Sequence, residues 1–317
     1  MVPDVSVVIP TFRRETRLAF TLDALARQGL ARERFEVLVV RAAGEPGQLV
    51  DPPGGLTVRF LESPAPGAGA QRNIGWRNAR APVVAFTDDD CRPSEHWLQS
   101  LLQATAGEVV VQGRTQPDPD EAHLLLGLSR SIDVTELDPW HPSCNMAYPR
   151  RLLERLGGFD EEFEAPFWGE DTDLGLRALQ AGARVEFAES ALVWHAVHPR
   201  PLPMAFRDAR RRSWIALVVA LHPEQRDALW GGVFVNRSHA ALALWLVAAI
   251  ALRRRPSLAA AASAPYFALH LSAGLSGRIH PRGLARLALH LPERLTLDVA
   301  ELASTVAGAV RHRSLVV

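Results

Sequence analysis

Val83-Val84-Ala85-Phe86-Thr87-Asp88-Asp89-Asp90 is an apolar run that ends in three consecutive carboxylates. A short apolar run behind Pro82 and ahead of a polar cluster reads as a buried strand. The acids then emerge where that strand ends. In an open α/β sheet, ligands bind outside the carboxyl ends of the strands. If the extended geometry continues, residues i and i+2 point the same way. Asp88 and Asp90 would then offer oxygen ligands to one divalent cation. A solvated turn is the plainer reading of the same residues, because Asp is common in turns.

Outward from this stretch, strand and helix signals alternate. Val5-Ser6-Val7-Val8-Ile9 is a strand closed by Pro10. Residues 16 to 28 carry helical spacing, with Leu18, Leu22, Leu25 and Ala26 on one face. Residues 35 to 40 and 57 to 61 read as strands, and 67 to 80 as a helix opened by glycine. After the acids, Ser94 is a candidate cap for a helix through Leu98, Leu101 and Leu102, and Val109-Val110-Val111 is a further strand. Strands separated by single helices imply βαβ units and a Rossmann-like, mostly parallel sheet flanked by helices, an α/β fold. Residues 114 to 142 are rich in Pro and Asp and read as a long loop with a short helix, the kind of segment that walls an active site.

The chain has 317 residues and is 48% hydrophobic, ample for a sizeable core. Acidic and basic residues balance to a net charge of zero, so nucleic acid is not an expected partner. Two cysteines, Cys91 and Cys144, make no disulfide framework and suit a reducing, cytoplasmic setting. The first residues enter a strand at once, so a cleaved leader is not expected. A catalytic domain over 1–200 gives way to a helical region over 201–317, rich in Ala, Leu and Arg. Ala240 to Leu252 is a thirteen-residue apolar run followed by Arg253-Arg254-Arg255. Thirteen residues is short of the ~20 needed to span a bilayer. A buried hairpin, an oligomer contact, a shallow element on the inner face of the plasma membrane and an ordinary helical subdomain all remain open. A second run, Leu258 to Leu275, is broken by Pro265, and Pro292 to Val310 reads as an amphipathic helix with Pro at its start.

Six motifs follow one another along residues 5 to 198: Val5 to Arg14, Gly69-Ala70-Gln71-Arg72-Asn73-Ile74-Gly75, Thr87 to Asp90, Ser143-Cys144-Asn145-Met146-Ala147, Gly157-Gly158-Phe159-Asp160, and Trp168 to Leu174. In this order they resemble the family 2 glycosyltransferases, which have a GT-A fold. The resemblance implies a metal-dependent, inverting transfer of a sugar from a nucleoside diphosphate sugar to a hydroxyl acceptor. It implies that Pro10, Thr11 and Arg13 contact the donor nucleotide. It makes Asp88-Asp89-Asp90 a DXD motif for Mg2+ or Mn2+, and it makes the pair Glu170-Asp171 the carrier of the catalytic base. The acceptor would be a glycan or a lipid-linked intermediate, as in the making of bacterial cell-envelope polysaccharide or other glycoconjugates.

The residue types suit that chemistry. Departure of a diphosphate builds negative charge on its bridging oxygen, which a divalent cation stabilises. Asp88 and Asp90 are the candidate ligands, with Asp89 turned toward the sugar or ribose. Arg72 contacts the diphosphate or holds an acid of the metal site, and Asn73 sits beside it. Asp171 is the candidate base and Glu170 the alternative, although an Asp at a helix start is commonly a cap. Trp168 offers a platform for a sugar face, and Gly169 permits close approach. Desolvation near Trp168 would raise the base toward a useful pKa. His195 closes the run Ala191-Leu192-Val193-Trp194. By resemblance it completes the metal site, with His198 as competitor. Asn145 is a candidate for the acceptor side, or a turn residue.

One departure stands out. Family members commonly carry an Asp after the second strand that accepts from the nucleobase, and here Arg41 stands there. Arg cannot accept a hydrogen bond. Arg41 would instead donate to a base carbonyl or a phosphate, or Glu45 would substitute. The gap motivates a rival reading, a catalytically weak GT-A-like scaffold that binds nucleotide or glycan. A sugar nucleotidyltransferase would want a Gly-rich loop, and Pro10 to Arg14 has none.

Overall fold

The computed structural model describes residues 2–44, 50–105, 107, 109–125, 128–163, 168–276 and 281–317, with the backbone alone for 272–276 and 281–290. Glu45 therefore lies outside the described residues. The chain divides into two compact units, Met1–Leu125 with Arg130–His198, and Leu126–Ser129 with Pro199–Val317.

In the first unit the described strands form one mixed sheet. They are β1 (Val5–Thr11), β2 (Phe35–Ala42), β3 (Val58–Ser63), β4 (Val83–Thr87), β5 (Cys91–Pro93), β6 (Val109–Pro117), β7 (Asn145–Pro149) and β8 (Arg184–His195). Their spatial order is β3-β2-β1-β4-β7-β6-β8-β5. The half β3-β2-β1-β4 is parallel throughout, as the alternating strand and helix signals require. The other half is not: β7 runs antiparallel to β4 and β6, and β5 antiparallel to β8.

Helices cover both faces. Val7 and Ile9 of β1 pack with Leu18, Leu22 and Leu25 of α1 (Glu15–Ala26) and with Trp97, Leu98 and Leu101 of α3 (Trp97–Ala104). Val8, one residue out of phase, joins Phe86, Trp76 of α2 (Ala68–Arg77), Leu152 of α4 (Arg150–Leu156) and Leu174 of α5 (Glu170–Gln180). Alternation along the strand thus feeds two cores. Each fully buried large apolar side chain contributes about 1.5–3 kcal/mol. Gly75 lets α2 lie close on β1, because a Cβ there would come within 2.2 Å of Val8 Cγ1. Ser94 does not cap α3: His96 occupies the cap position, and Ser94 N donates to Leu192 O.

The second unit is helical: α6 (Leu202–Ala209), α7 (Ser213–Leu221), α8 (Arg237–Ala251), α9 (Pro256–Ala261), α10 (Ala264–Ser276) and α11 (Pro281–His312). Ala241, Leu242, Tyr266 and Leu302 form one core there, and Leu128, Ala205, Ala209 and Leu297 another. The last helix starts eleven residues earlier than the sequence suggests, and Pro292 lies inside it. Leu244, Val247 and Ile250 of α8 are 64–70% exposed, so the apolar run is no buried hairpin. Among the described residues no helix is long and apolar enough to cross a membrane.

Candidate active site

The carboxyl ends of β1 and β4 lie side by side, since Val8 pairs with Phe86 in parallel register. The extended run does not continue through the acids. Residues Asp88 to Cys91 form a tight turn, with Cys91 N donating to Asp88 O at 3.2 Å. The three carboxylates consequently part company, which corrects the expectation that Asp88 and Asp90 point together.

Asp88, the most exposed of the three, accepts from Arg72 Nη2 at 2.8 Å. The other arm of that buried guanidinium, Nη1, donates to Glu170 Oε1 at 3.2 Å. Arg72 therefore bridges the turn and the first residue of α5. Burial disfavours its charge, but Asp88, Glu170 and Asp171 outweigh that and hold it firmly protonated. Its side chain also lies 5.5 Å from the Phe159 ring centroid.

Asp89 points inward. It accepts from Thr11 Oγ1 at 2.8 Å, from Phe12 N at 3.4 Å and from Arg14 Nη1 at 3.1 Å. Burial first, and Asp90 second, push its carboxyl up to about 7. Asp90 is also buried. Burial raises it, yet the His198 hydrogen bond, His195 and Arg14 together hold it below the usual carboxylate range. Its Oδ2 accepts from Arg14 at 2.5 Å and faces His198 Nε2 at 2.9 Å.

The other oxygen of Asp90, Oδ1, is buried without a hydrogen-bond partner and stands 3.7 Å from His195 Nε2. The antiparallel pair Cys91↔His195 sets this distance. His195 Nδ1 lies 2.8 Å from the Ala196 carbonyl, so in the neutral ring the proton sits on Nδ1 and Nε2 faces Asp90, while the protonated ring pairs with that carboxylate instead. An unsatisfied carboxylate oxygen and a free imidazole lone pair at this spacing fit a divalent cation, so Asp90 and His195 are residues that would hold one. Cys91 is close enough to join the cluster, but burial pushes its thiol far up and keeps it neutral.

On the facing side, Gly169 caps α5 with φ 100°, in the left-handed region that favours glycine. Asp171 is half-buried. Its Oδ2 accepts from Ser143 N at 3.2 Å and its Oδ1 from Thr172 N at 2.9 Å. Burial and the neighbouring Glu170 push it up to about 7. Glu170 keeps a second buried oxygen, Oε2, without a partner. Arg130 stacks 4.9 Å from the centroid of Trp168, so the indole already has a cation on it.

Two candidates are engaged elsewhere. Asn73 is wholly buried: it donates to Phe159 O and Glu161 Oε1 and accepts from Trp76 Nε1 and Phe159 N. Gly158 makes room, since a Cβ there would sit 2.4 Å from Asn73 Oδ1. Asn145 donates to Arg114 O and Ala191 O and accepts from Trp97 Nε1, each at 2.8 Å. Its amide ties strands together. Arg41 pairs with Glu62 at 2.7 Å, its cross-strand neighbour on β3. Pro10 is buried at the end of β1, and Thr11 is tied to Asp89 and, through its carbonyl, to Gln71. Arg13, in the left-handed region at φ 53°, covers the Phe12 ring.

Sequence reasoning passed over Arg14 and His141. Arg14 stood inside a quoted motif without a role; its distance from Asp89 along the chain hid the pairing. His141 is buried at φ 47° and packs against Gly175 of α5. Burial pushes it down to about 4, so it is neutral.

A family model described as Glycosyl transferase family 2 matches residues 6–157, and one described as Glycosyl transferase family group 2 matches residues 133–276. The chain belongs to glycosyltransferase family 2. Among curated members, validoxylamine A glucosyltransferase of Streptomyces hygroscopicus subsp. limoneus is 31% identical over 241 residues, covering 63% of this chain and 53% of that one. Glycosyltransferase AglE of Haloferax volcanii is 24% identical, covering 62% and 68%. The chain thus spans about half the length of the validoxylamine A glucosyltransferases it matches, 53% and 57%. In fold, this family 2 chain is similar to the mannosyltransferase PcManGT of Pyrobaculum calidifontis, solved with GDP-mannose and Mn2+ (TM-score 0.58, 21% identity, 99% of this chain and 88% of that one). It is also similar to S. aureus TarS 1–349 (TM-score 0.50, 16% identity, 98% and 91%). The mixed sheet with helices on both faces is the GT-A fold.

Proposed function

We propose that this chain is a metal-dependent, inverting glycosyltransferase that moves a sugar from a nucleoside diphosphate sugar to a hydroxyl acceptor. The observation that carries the reading is the unpartnered Asp90 Oδ1 facing His195 Nε2 across 3.7 Å, with the Arg-bridged acids beside it. Five carboxylates crowd this site, and Arg14 and Arg72 are bonded to four of them, all but Asp171. Asp90 and His195 would hold a Mg2+ or Mn2+ ion, with Asp88 as a further candidate ligand, and the ion would supply the positive charge that a departing diphosphate needs.

The chain's own residues do the rest. Asp171 accepts the proton of the acceptor hydroxyl at a carboxylate aimed by Ser143 N. With its carboxyl near 7, it is partly ionised at neutral pH and basic enough to take that proton. Glu170 positions Arg72 and, through it, Asp88. Attack from the Asp171 side, opposite the departing nucleotide, inverts the anomeric centre. Trp168 and Gly169 shape the acceptor side, while Pro10, Thr11 and Arg13 border the donor side. Asn73 supports the donor side only indirectly, by fixing the segment at Phe159.

Arg41 and Glu62 together replace the missing strand-end Asp, and the Glu62 carboxylate supplies the acceptor that Arg41 lacks. The nucleobase is left to experiment. A glycan or lipid-linked acceptor suits the exposed apolar face of α8 followed by the exposed Arg253, Arg254 and Arg255, a face suited to the inner surface of the plasma membrane. A panel of nucleoside diphosphate sugars, scored by released diphosphate nucleotide with and without Mg2+ or Mn2+, tests the proposal. Metal-dependent release with one donor supports it. Calorimetric nucleotide binding without any release favours the scaffold reading.

A further inference from the structure

A second group of metal-type ligands lies inside the helical unit, in residues that the transfer reaction does not use. His239 sits in the first turn of α8, its backbone N held by the Asn236 cap at 2.8 Å. Asp298 and Glu301 stand three residues apart on α11 and so share one face of that helix. His239 and Asp298 are 0% exposed and Glu301 6%. One ligand atom from each lies within 4.8 Å of the others.

The group is short of hydrogen bonds. Both ring nitrogens of His239, Oδ1 of Asp298 and Oε2 of Glu301 are buried without an aligned hydrogen bond, although Asp298 Oδ1 and Glu301 Oε2 have charged neighbours. Unsatisfied polar atoms in a packed interior are costly, and an ion is one way to satisfy several at once. The spacing agrees. His239 Nε2 and Glu301 Oε2 are 3.5 Å apart. Two ligands each about 2.1 Å from a tetrahedral Zn2+ stand about 3.4 Å from one another. The remaining oxygen of Asp298 is fixed by Tyr266 OH at 2.8 Å and His270 Nε2 at 3.2 Å. Such outer contacts orient a ligand carboxylate.

We propose that His239, Asp298 and Glu301 form a second cation site, for a transition metal of the Zn2+ type, within the C-terminal helical unit. Imidazole with carboxylates suits such an ion better than Mg2+ or Ca2+. Two guanidiniums compete with it. Arg294 Nη2 lies 2.7 Å from Asp298 Oδ1 without forming an aligned hydrogen bond, and Arg212 Nε lies 3.5 Å from Glu301 Oε2. Their side chains are 37% and 29% exposed, so both have solvent to turn into when the ion enters.

The rival account is a closed ion-pair cluster, and the arginines separate the two. In a cation site Arg294 is a competitor, so its loss tightens metal binding. In an ion-pair cluster its loss only destabilises the fold. The test uses the full chain carrying Asp90→Ala, which removes a ligand of the active-site ion. After chelation it is dialysed against Zn2+ alone, and separately loaded with Co2+ for visible absorption. We expect one Zn2+ per chain and a Co2+ spectrum of tetrahedral intensity. Adding Glu301→Gln should weaken Zn2+ binding at least tenfold, and adding Arg294→Ala should strengthen it severalfold. The proposal is overturned if the Asp90→Ala chain takes up no Zn2+ and shows no Co2+ band, a result that needs no change in the cluster. It is equally overturned if Glu301→Gln leaves uptake unchanged, or if Arg294→Ala loosens it.

Discussion

Asp171 is where sequence and geometry make the sharpest demand. Its carboxyl is pushed up to about 7 by burial and by Glu170. A base works only when ionised, so turnover should rise with pH through about 7 and level off above it. An ordinary Asp base would already be flat there. Asp171→Asn should lower kcat by about 10²–10⁴-fold and remove this acidic limb. A rate profile already level from pH 5 upward would sink the assignment. Asp90→Ala should abolish the response to added Mn2+ while the chain stays folded, as read by circular dichroism and a metal titration of turnover. How legible were these residues? The acids, Arg72 and His195 announced themselves by motif. Asn73 and Asn145 did too, but a motif cannot show that an amide already has all its partners inside the fold. The turn at Asp88–Cys91 was legible as the plainer alternative, since Asp is common in turns; the direction of each carboxylate was not, because alternation predicts direction only while a strand stays extended.

At the scale of elements, the parallel half of the sheet was readable because β1, β2 and β4 are short, largely buried runs rich in apolar residues, with the partly buried β3 the weakest of the four. The other half was only partly so: Val109-Val110-Val111 of β6 showed as a strand, and β5, β7 and most of β8 did not. β5 is only three residues long. β7 begins at Asn145 behind a polar stretch, and in β8 exposed Glu186, Glu189 and Ser190 precede the run Ala191-Leu192-Val193-Trp194, which alone reads as a strand. α2 matters most for the site, since it delivers Arg72 from a helix pressed onto β1. Gly75→Ala adds a methyl where Val8 Cγ1 stands 2.2 Å away. Overpacking of this kind costs about 1–3 kcal/mol. The expected result is a lower Tm in a thermal melt, with transfer activity falling alongside it. An unchanged Tm would show that α2 is free to lift.

For the whole molecule, zero net charge gives no global attraction to an anionic bilayer. Any such attraction must come from a local patch, and Leu244, Val247 and Ile250 followed by Arg253, Arg254 and Arg255 are the candidates. The chain should float with vesicles containing anionic lipid and stay behind with neutral ones. Flotation should weaken as salt rises, since each Arg near such a surface contributes about 1 kcal/mol. Replacing the three arginines by Gln should abolish it without lowering Tm. Flotation unaffected by that change would place the contact elsewhere. Sequence alone left the helical unit unresolved because an apolar run looks the same whether it faces a core or water.

Arg72 has one more implication, for how this site responds to change. A single guanidinium serves Asp88 with one nitrogen and Glu170 with the other. Neither acid can be neutralised without altering what the arginine offers its neighbour. Asp88→Asn and Glu170→Gln should therefore be non-additive in stability, with a coupling of about 0.5–3 kcal/mol in a double-mutant cycle that vanishes once Arg72 is replaced by Met. Strict additivity would show two independent pairs. The β4 turn and the start of α5 answer to one shared guanidinium, so a perturbation of either is felt by both.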